Sequence, residues 1–307
     1  MRFILTLFLS SNIFYHVQAE LTNIEGYLID LEKLEPPVVD VDKPSTFFRR
    51  LMPFSDSNVS NIIQGQDSTD QKQFPYQAAL FLKRKNDKTH SSFCGGSLIS
   101  RKVILTAAHC LEKIVEVAIC LGCMNLKNDQ EKGREMFVVG KSSMIIHKQW
   151  NSRTLKNDIA LIILPREAPL TDVIKPLKLP AGAQSRELIS PLWRFPSSVS
   201  GMNASGVSKK LKYISTLVMR QDDCKKIYLS KHKYNVETTQ LCTDGSQGKS
   251  TCQGDSGGPL VIKSGNEYVQ IGIVSFGTRD CERREPSVYT RVNYFLPWIQ
   301  AKMSSVK

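Results

Sequence analysis

Gly254-Asp255-Ser256-Gly257-Gly258-Pro259-Leu260 decides how this chain is read. Glycines on both sides of one serine bend the backbone into a tight turn and leave the hydroxyl exposed, as a nucleophile requires. A serine hydroxyl is a poor nucleophile near neutral pH, so it needs a neighbouring base to take its proton as it attacks an acyl carbon. Upstream, Thr106-Ala107-Ala108-His109-Cys110 offers such a base in His109. Asn157-Asp158-Ile159-Ala160-Leu161 offers a carboxylate, Asp158, at the entrance to an apolar strand. A buried Asp158 would fix the imidazole tautomer and stabilise the positive charge that His109 acquires. Taken singly, a lone histidine is more often structural and the Asp158 segment is an ordinary buried strand. Three such segments in the order His, Asp, Ser point together to acyl transfer.

These segments resemble those of the chymotrypsin-like (trypsin-fold) serine proteases, and the resemblance spans residues 62–307. It implies an all-β fold: two six-stranded antiparallel β-barrels with a C-terminal helix and the active cleft between the barrels. His109 and Asp158 would come from the first barrel and Ser256 from the second. Backbone N–H groups of Gly254 and Ser256 would form the oxyanion hole, and Ser275 would support Asp158 and present backbone to substrate. The resemblance also implies three disulfides, Cys94 with Cys110, Cys224 with Cys242, and Cys252 with Cys281. No cofactor and no metal are expected for the reaction.

The likeness carries an activation device too. Ile62-Ile63-Gln64-Gly65 resembles the family's mature start, so cleavage after Asn61 would free the Ile62 amine to pair with a buried Asp255. An uncut chain would then have low activity, because an unpaired buried charge is costly. Asn61 departs from the Arg or Lys that the usual activating proteases require, and a cut at Arg49-Arg50 would leave Ile62 internal. The substrate pocket implied by the likeness is walled by Ser250, Ser275, Gly277 and Ser287. Ser250 stands where enzymes selecting Lys or Arg carry an aspartate, so a basic substrate side chain would lose hydration without gaining a counter-ion. Gly277 leaves the neck open, and Ser287, where glycine is usual, makes the pocket shallower. Large apolar or aromatic residues before the cut are expected, with smaller apolar residues second. Leu155 is either an apolar wall for the preceding substrate residue or an exposed loop leucine.

Around this core, composition sets bounds. A chain of 307 residues that is 41% hydrophobic can bury a substantial core. Residues 1–19 carry Arg2, an apolar run from Phe3 to Leu9 and Val17-Gln18-Ala19, which reads as a secretory signal peptide. No later segment is apolar over the length of a spanning helix, so a soluble, secreted protein with no membrane partner is expected. Residues 20–61 hold eight acids and four bases with Pro36-Pro37, Pro44 and Pro53, the pattern of an acidic propeptide with a flexible junction. Residues 62–307 form the protease domain. Short β-branched runs there alternate with Gly, Pro, Asn and Asp turns, and only Tyr294 to Met303 suggests a substantial helix.

The eight cysteines fit an oxidising compartment. Cys120-Leu121-Gly122-Cys123 lies outside the family pattern and reads as a local or intermolecular disulfide or a thiol pair. The family's calcium loop would fall near Gly122 to Glu131, where Cys123 takes a position usually given to a carboxylate. Leu192 and Arg194 replace glycines beside Trp193 in a loop that orders on activation. Asn58-Val59-Ser60 and Asn203-Ala204-Ser205 are glycosylation triplets of a kind common by chance. The net charge of +12 is spread over runs such as Lys225-Lys226 and Arg283-Arg284 without interleaved aromatics, which argues for a solvated surface and against specific nucleic-acid binding. Expected partners are a protein or peptide substrate, an activating protease, and protein inhibitors or polyanions. The alternative is a latent or non-catalytic homologue that acts as a basic binding protein.

Overall fold

The structure is a computed structural model and describes residues 65–87, 92–126, 128, 130–181, 194–199, 202–203, 206–207, 210–252, 254–278 and 283–306, without the side chains of 194–207. The signal peptide, the propeptide with its Asn58 sequon, Ile62, Trp193, Cys281, and Ala204 and Ser205 of the other sequon lie outside the described residues.

Two antiparallel sheets carry the chain. The first contains β2 (Gln77–Arg84), β3 (Ser92–Ser100), β4 (Val103–Thr106), β5 (Ile114–Leu121), β6 (Glu135–Gly140), β7 (Met144–Ile146) and β8 (Ala160–Ile163), in the order β6-β5-β2-β3-β4-β8-β7. Strand periodicity explains the packing. Ala78, Leu80 and Leu82 of β2 face the large core, while Ala79 and Phe81 face a second cluster with Phe93 and Ala118. Fully buried leucines and isoleucines such as Leu80, Leu98, Ile104 and Leu161 each contribute roughly 1.5–3 kcal/mol. β6 and β7 are two halves of one edge, broken by a single 3-10 turn at Lys141–Ser143. One half pairs with β5 and the other with β8, so the segment closes a six-stranded barrel.

The second sheet joins β1 (Gln66–Asp67), β9 (Arg194–Val199), β12 (Lys212–Leu217), β13 (Gln240–Thr243), β14 (Pro259–Ser264), β15 (Glu267–Phe276) and β16 (Ser287–Arg291), in the order β1-β12-β9-β14-β15-β16-β13. A bridge between Val218 and Thr243 connects the ends of β12 and β13 and closes six strands, with β1 added outside. A small hairpin, β10 (Met202–Asn203) with β11 (Gly206–Val207), stands apart. The expected pair of six-stranded barrels is therefore present.

Among the described residues, three helices accompany the barrels: α1 (Ala108–Leu111), α2 (Gln221–His232) and α3 (Leu296–Met303). The C-terminal helix fulfils the expectation, but α2 corrects the reading that only the chain's end is substantially helical. Its sequence is polar on most sides, and only Cys224, Tyr228 and His232, spaced four apart, are buried. One such stripe is too narrow to stand out in a periodicity reading. Lys233 ends the helix in a left-handed conformation with φ 56°.

Candidate active site

His109 sits in α1, immediately after β4, and the Cys94–Cys110 disulfide ties this helix to β3. Asp158 lies just before β8, which pairs with β4 in the register Thr106 opposite Ala160. Neighbouring strands of one barrel thus bring the histidine and the aspartate together. His109 Nδ1 lies 2.8 Å from Asp158 Oδ2, and the His109 backbone N–H donates to Asp158 Oδ1 at 2.9 Å. Both side chains are almost wholly removed from water, at 5% and 1% exposure. A carboxylate so buried needs several donors. The second barrel supplies another: Ser275 Oγ donates to Asp158 Oδ2 at 2.6 Å. Thr290 Oγ1, also from that barrel, donates to the Asp158 carbonyl at 2.7 Å.

Ser256 lies between Gly254 (φ 86°) and Gly257 (φ 78°), in the turn that leads into β14. A side chain at Gly257 would collide with Thr106 Oγ1 and the Gly95 carbonyl, so only glycine lets the serine turn rest on the strand that leads to His109. The Gly95 N–H donates to the Ser256 carbonyl at 2.7 Å, and Thr106 Oγ1 donates to the Gly95 carbonyl at 2.8 Å. The turn is thereby fastened to the histidine's barrel. Ser256 Oγ and His109 Nε2 are not hydrogen-bonded, and Nε2 lies 3.8 Å from Cys110 Sγ. Catalytic hydrogen bonds are often long before substrate binds.

In the same turn, the N–H groups of Asp255, Gly257 and Gly258 donate to the carbonyls of Cys252, Val274 and Asp255. Those of Gly254 and Ser256 meet no acceptor among the described residues, the condition required of donors reserved for an oxyanion.

Asp255 is completely buried. The Cys252 N–H donates to its Oδ2 at 2.7 Å, while Oδ1 has no hydrogen-bond partner among the described residues. Burial drives its carboxyl well above the usual carboxylate range, and the Cys252 amide opposes this only in part.

The four predicted pocket residues split between two strand ends. Ser250 and Ser287 are buried and adjacent, since the Thr251 N–H donates to Ser287 Oγ at 3.3 Å. Ser275 and Gly277 lie on or just beyond β15, and a methyl group at Gly277 would meet nothing within 4 Å, so that side of the wall is open. None of the four carries charge. Leu155 is neither an open wall nor an exposed loop residue: it is 2% exposed and packs with Cys224, Tyr228, Tyr234 and Phe276.

Cysteine pairing follows expectation for Cys94–Cys110 and Cys224–Cys242, and Cys120 joins Cys123 as a local disulfide. Cys252 is disulfide-bonded, and the expected partner Cys281 lies outside the described residues. Cys94, His109 and Cys110 are grouped closely enough to suggest a metal site, but the two sulfurs are bonded to each other and offer no thiolate. The Gly122 to Glu131 loop does not fit calcium either. Glu131 uses both carboxylate oxygens to accept the Met124 and Asn125 N–H groups at 2.9 to 3.2 Å, and Cys123 is held in its disulfide.

Sequence reading missed Thr290, Gly95 and Thr106 as supports of the site. Thr290 and Gly95 act across long sequence separations, Thr106 acts through Gly95, and no local motif signals them. The Gly95-Gly96 pair was the one available hint of a close backbone approach.

The family model described as Trypsin matches residues 62–299. Brachyurin of Leptuca pugilator is 38% identical over 232 residues, covering 75% of this chain and 93% of that protein. A collagenase of Hypoderma lineatum is 38% identical over 229 residues, covering 74% and 82%, and a chymotrypsin of Phaedon cochleariae is 36% identical over 245 residues, covering 78% and 81%. The solved structure of HL collagenase superposes with a TM-score of 0.68 at 33% identity, covering 79% of this chain and 99% of that one.

Proposed function

Because the chain belongs to the trypsin family of serine endopeptidases, we propose that it cleaves peptide bonds through Ser256, His109 and Asp158, with a preference for large apolar or aromatic residues before the cut. The observation that carries this reading is the buried Asp158 carboxylate, engaged at once by the His109 ring, the His109 N–H and Ser275 Oγ.

In this mechanism His109 Nε2 takes the Ser256 proton as Oγ attacks the carbonyl carbon. Asp158 holds Nδ1 protonated and stabilises the imidazolium. The Gly254 and Ser256 N–H groups receive the oxyanion; losing one such donor typically costs about 10²- to 10³-fold in turnover. The imidazolium then protonates the leaving amine, and water admitted by the same base releases the acyl group from Ser256. The neutral lining of Ser250, Ser275, Gly277 and Ser287 supports an apolar side chain over a basic one.

Activation by a cut after Asn61 would present the Ile62 amine to Asp255, whose Oδ1 lacks a partner among the described residues. Residues 1–19 would direct secretion and residues 20–61 would form the propeptide, in keeping with the disulfides of the described residues. Family membership favours the enzyme over a non-catalytic binding homologue.

The test is a digest of a mixed peptide library by protein whose chain begins at Ile62. Cleavage after Phe, Tyr, Leu or Met, lost in Ser256→Ala, supports the reading. Cleavage chiefly after Lys or Arg would overturn the specificity, and cleavage that persists in Ser256→Ala would overturn the nucleophile.

A further inference from the structure

The chain that delivers Asp158 is fastened to the opposite barrel. Tyr234 Oη donates to the Thr154 carbonyl at 2.9 Å. Gln240 Nε2 donates to the Leu155 carbonyl at 3.2 Å and to Tyr234 Oη at 2.8 Å, while Gln240 Oε1 accepts the Glu237 N–H at 2.9 Å. Lys156 Nζ lies 2.5 Å from Glu237 Oε1. Three consecutive residues, Thr154, Leu155 and Lys156, are therefore held by one segment, Tyr234 to Gln240, which leads into β13. The Leu155 side chain completes the attachment as a buried plug among Cys224, Tyr228 and Phe276. Leu155 and Asn157 have φ of 52° and 57°, a left-handed conformation that a leucine keeps only where its surroundings impose it.

We infer that Tyr234 and Gln240 form an inter-barrel latch that positions Asp158, and through it His109, relative to the barrel that bears Ser256. This rests on the triad reading above. The proposed nucleophile and the proposed base arise from different barrels, so the alignment between them is set by ties that cross from one to the other. Ser275 and Thr290 hold Asp158 itself, and the latch holds the backbone immediately before it. Neither Tyr234 nor Gln240 touches reacting atoms, and both act through Asp158. Releasing the Thr154 and Leu155 carbonyls would let the left-handed turn relax, shift the Asp158 carboxylate and weaken its bond to His109 Nδ1. The imidazolium formed as Ser256 is acylated would lose part of its partner's stabilisation, and turnover would fall.

The experiment uses chain cut to begin at Ile62, as wild type, Tyr234→Phe, Gln240→Leu and the double variant. Ser256 is titrated with a fluorophosphonate, kcat and KM are measured on one peptide amide, and thermal melting is followed. Each single change is expected to lower kcat about 10-fold, a small displacement being enough to misalign reacting groups. KM should be nearly unchanged, so that the loss falls on kcat. The double variant should lose less than the product of the two losses, since both residues belong to one hydrogen-bonded unit. Variants that melt lower yet keep the wild-type kcat per titrated site would reduce the pair to a structural tie and overturn the latch. If Gln240→Leu does not fold, Tyr234→Phe, which removes a single hydroxyl, decides alone. Failure of wild-type Ser256 to react would overturn the triad reading itself; reaction with unaffected variants would overturn only the latch.

Discussion

Asp158 shows how one residue gathers the site. Its carboxylate accepts from His109 twice and from Ser275 once, and its carbonyl accepts from Thr290, so both barrels converge on a group that is 1% exposed. Asp158→Asn keeps the shape but presents a donor to Nδ1 and stabilises the wrong imidazole tautomer. The expected result is a fall in kcat of about 10⁴-fold with the fold retained, checked by steady-state kinetics beside circular dichroism. Asp255 makes a different prediction. Its buried carboxyl has a raised pKa in the folded chain, so the folded state binds the proton more tightly than the unfolded state does. Stability of the uncut chain should therefore fall as pH rises from the ordinary aspartate range, about 3.9, toward the raised value, and stay lowered above it. Asp255→Asn should make the uncut chain more stable than wild type at neutral pH, with the difference fading in acid, as read by thermal melts across pH. The same change should prevent activation after the cut at Asn61.

At the scale of elements, α1 is a single helical turn whose place depends on Cys94–Cys110, with a sequence separation of 16. Replacing both cysteines by alanine should cost about 3 kcal/mol in denaturant unfolding, the chain-entropy value for a loop of this size. The Cys120–Cys123 disulfide and the Glu131 carboxylate hold the following loop by internal bonds. Calcium addition or chelation is accordingly expected to leave the melting temperature unchanged, and a clear rise with calcium would contradict this. These elements also show what sequence could and could not tell. The nucleophile turn, the histidine helix and the aspartate strand were legible because each is a short motif whose chemistry demands particular neighbours. α2 was not, because its buried face is only Cys224, Tyr228 and His232. Leu155 was misread because its burial comes from Tyr228, Tyr234 and Phe276, residues far along the chain. Long-range packing of this kind leaves no local periodicity to read.

For the whole molecule, the two barrels are closed by different devices, a broken edge strand in one and a single bridge in the other. They are joined where the chemistry lies: Gly95 to Ser256, Ser275 and Thr290 to Asp158, and Gln240 to Leu155. Ser97 Oγ adds a buried bond to Gln270 Oε1 at 2.7 Å. The order His, Asp, Ser in the chain is divided in space, because the first two residues ride on one barrel and the third on the other. The central claim is that Ser256 is an activated nucleophile in the cut enzyme. The most direct measurement is mass spectrometry of the fluorophosphonate-treated protein before and after cleavage at Asn61. A single adduct on Ser256 that appears only when the chain begins at Ile62, and is absent from His109→Ala, is the predicted result. A chain that begins at Ile62 and carries no adduct, or carries it on another residue, would contradict the account.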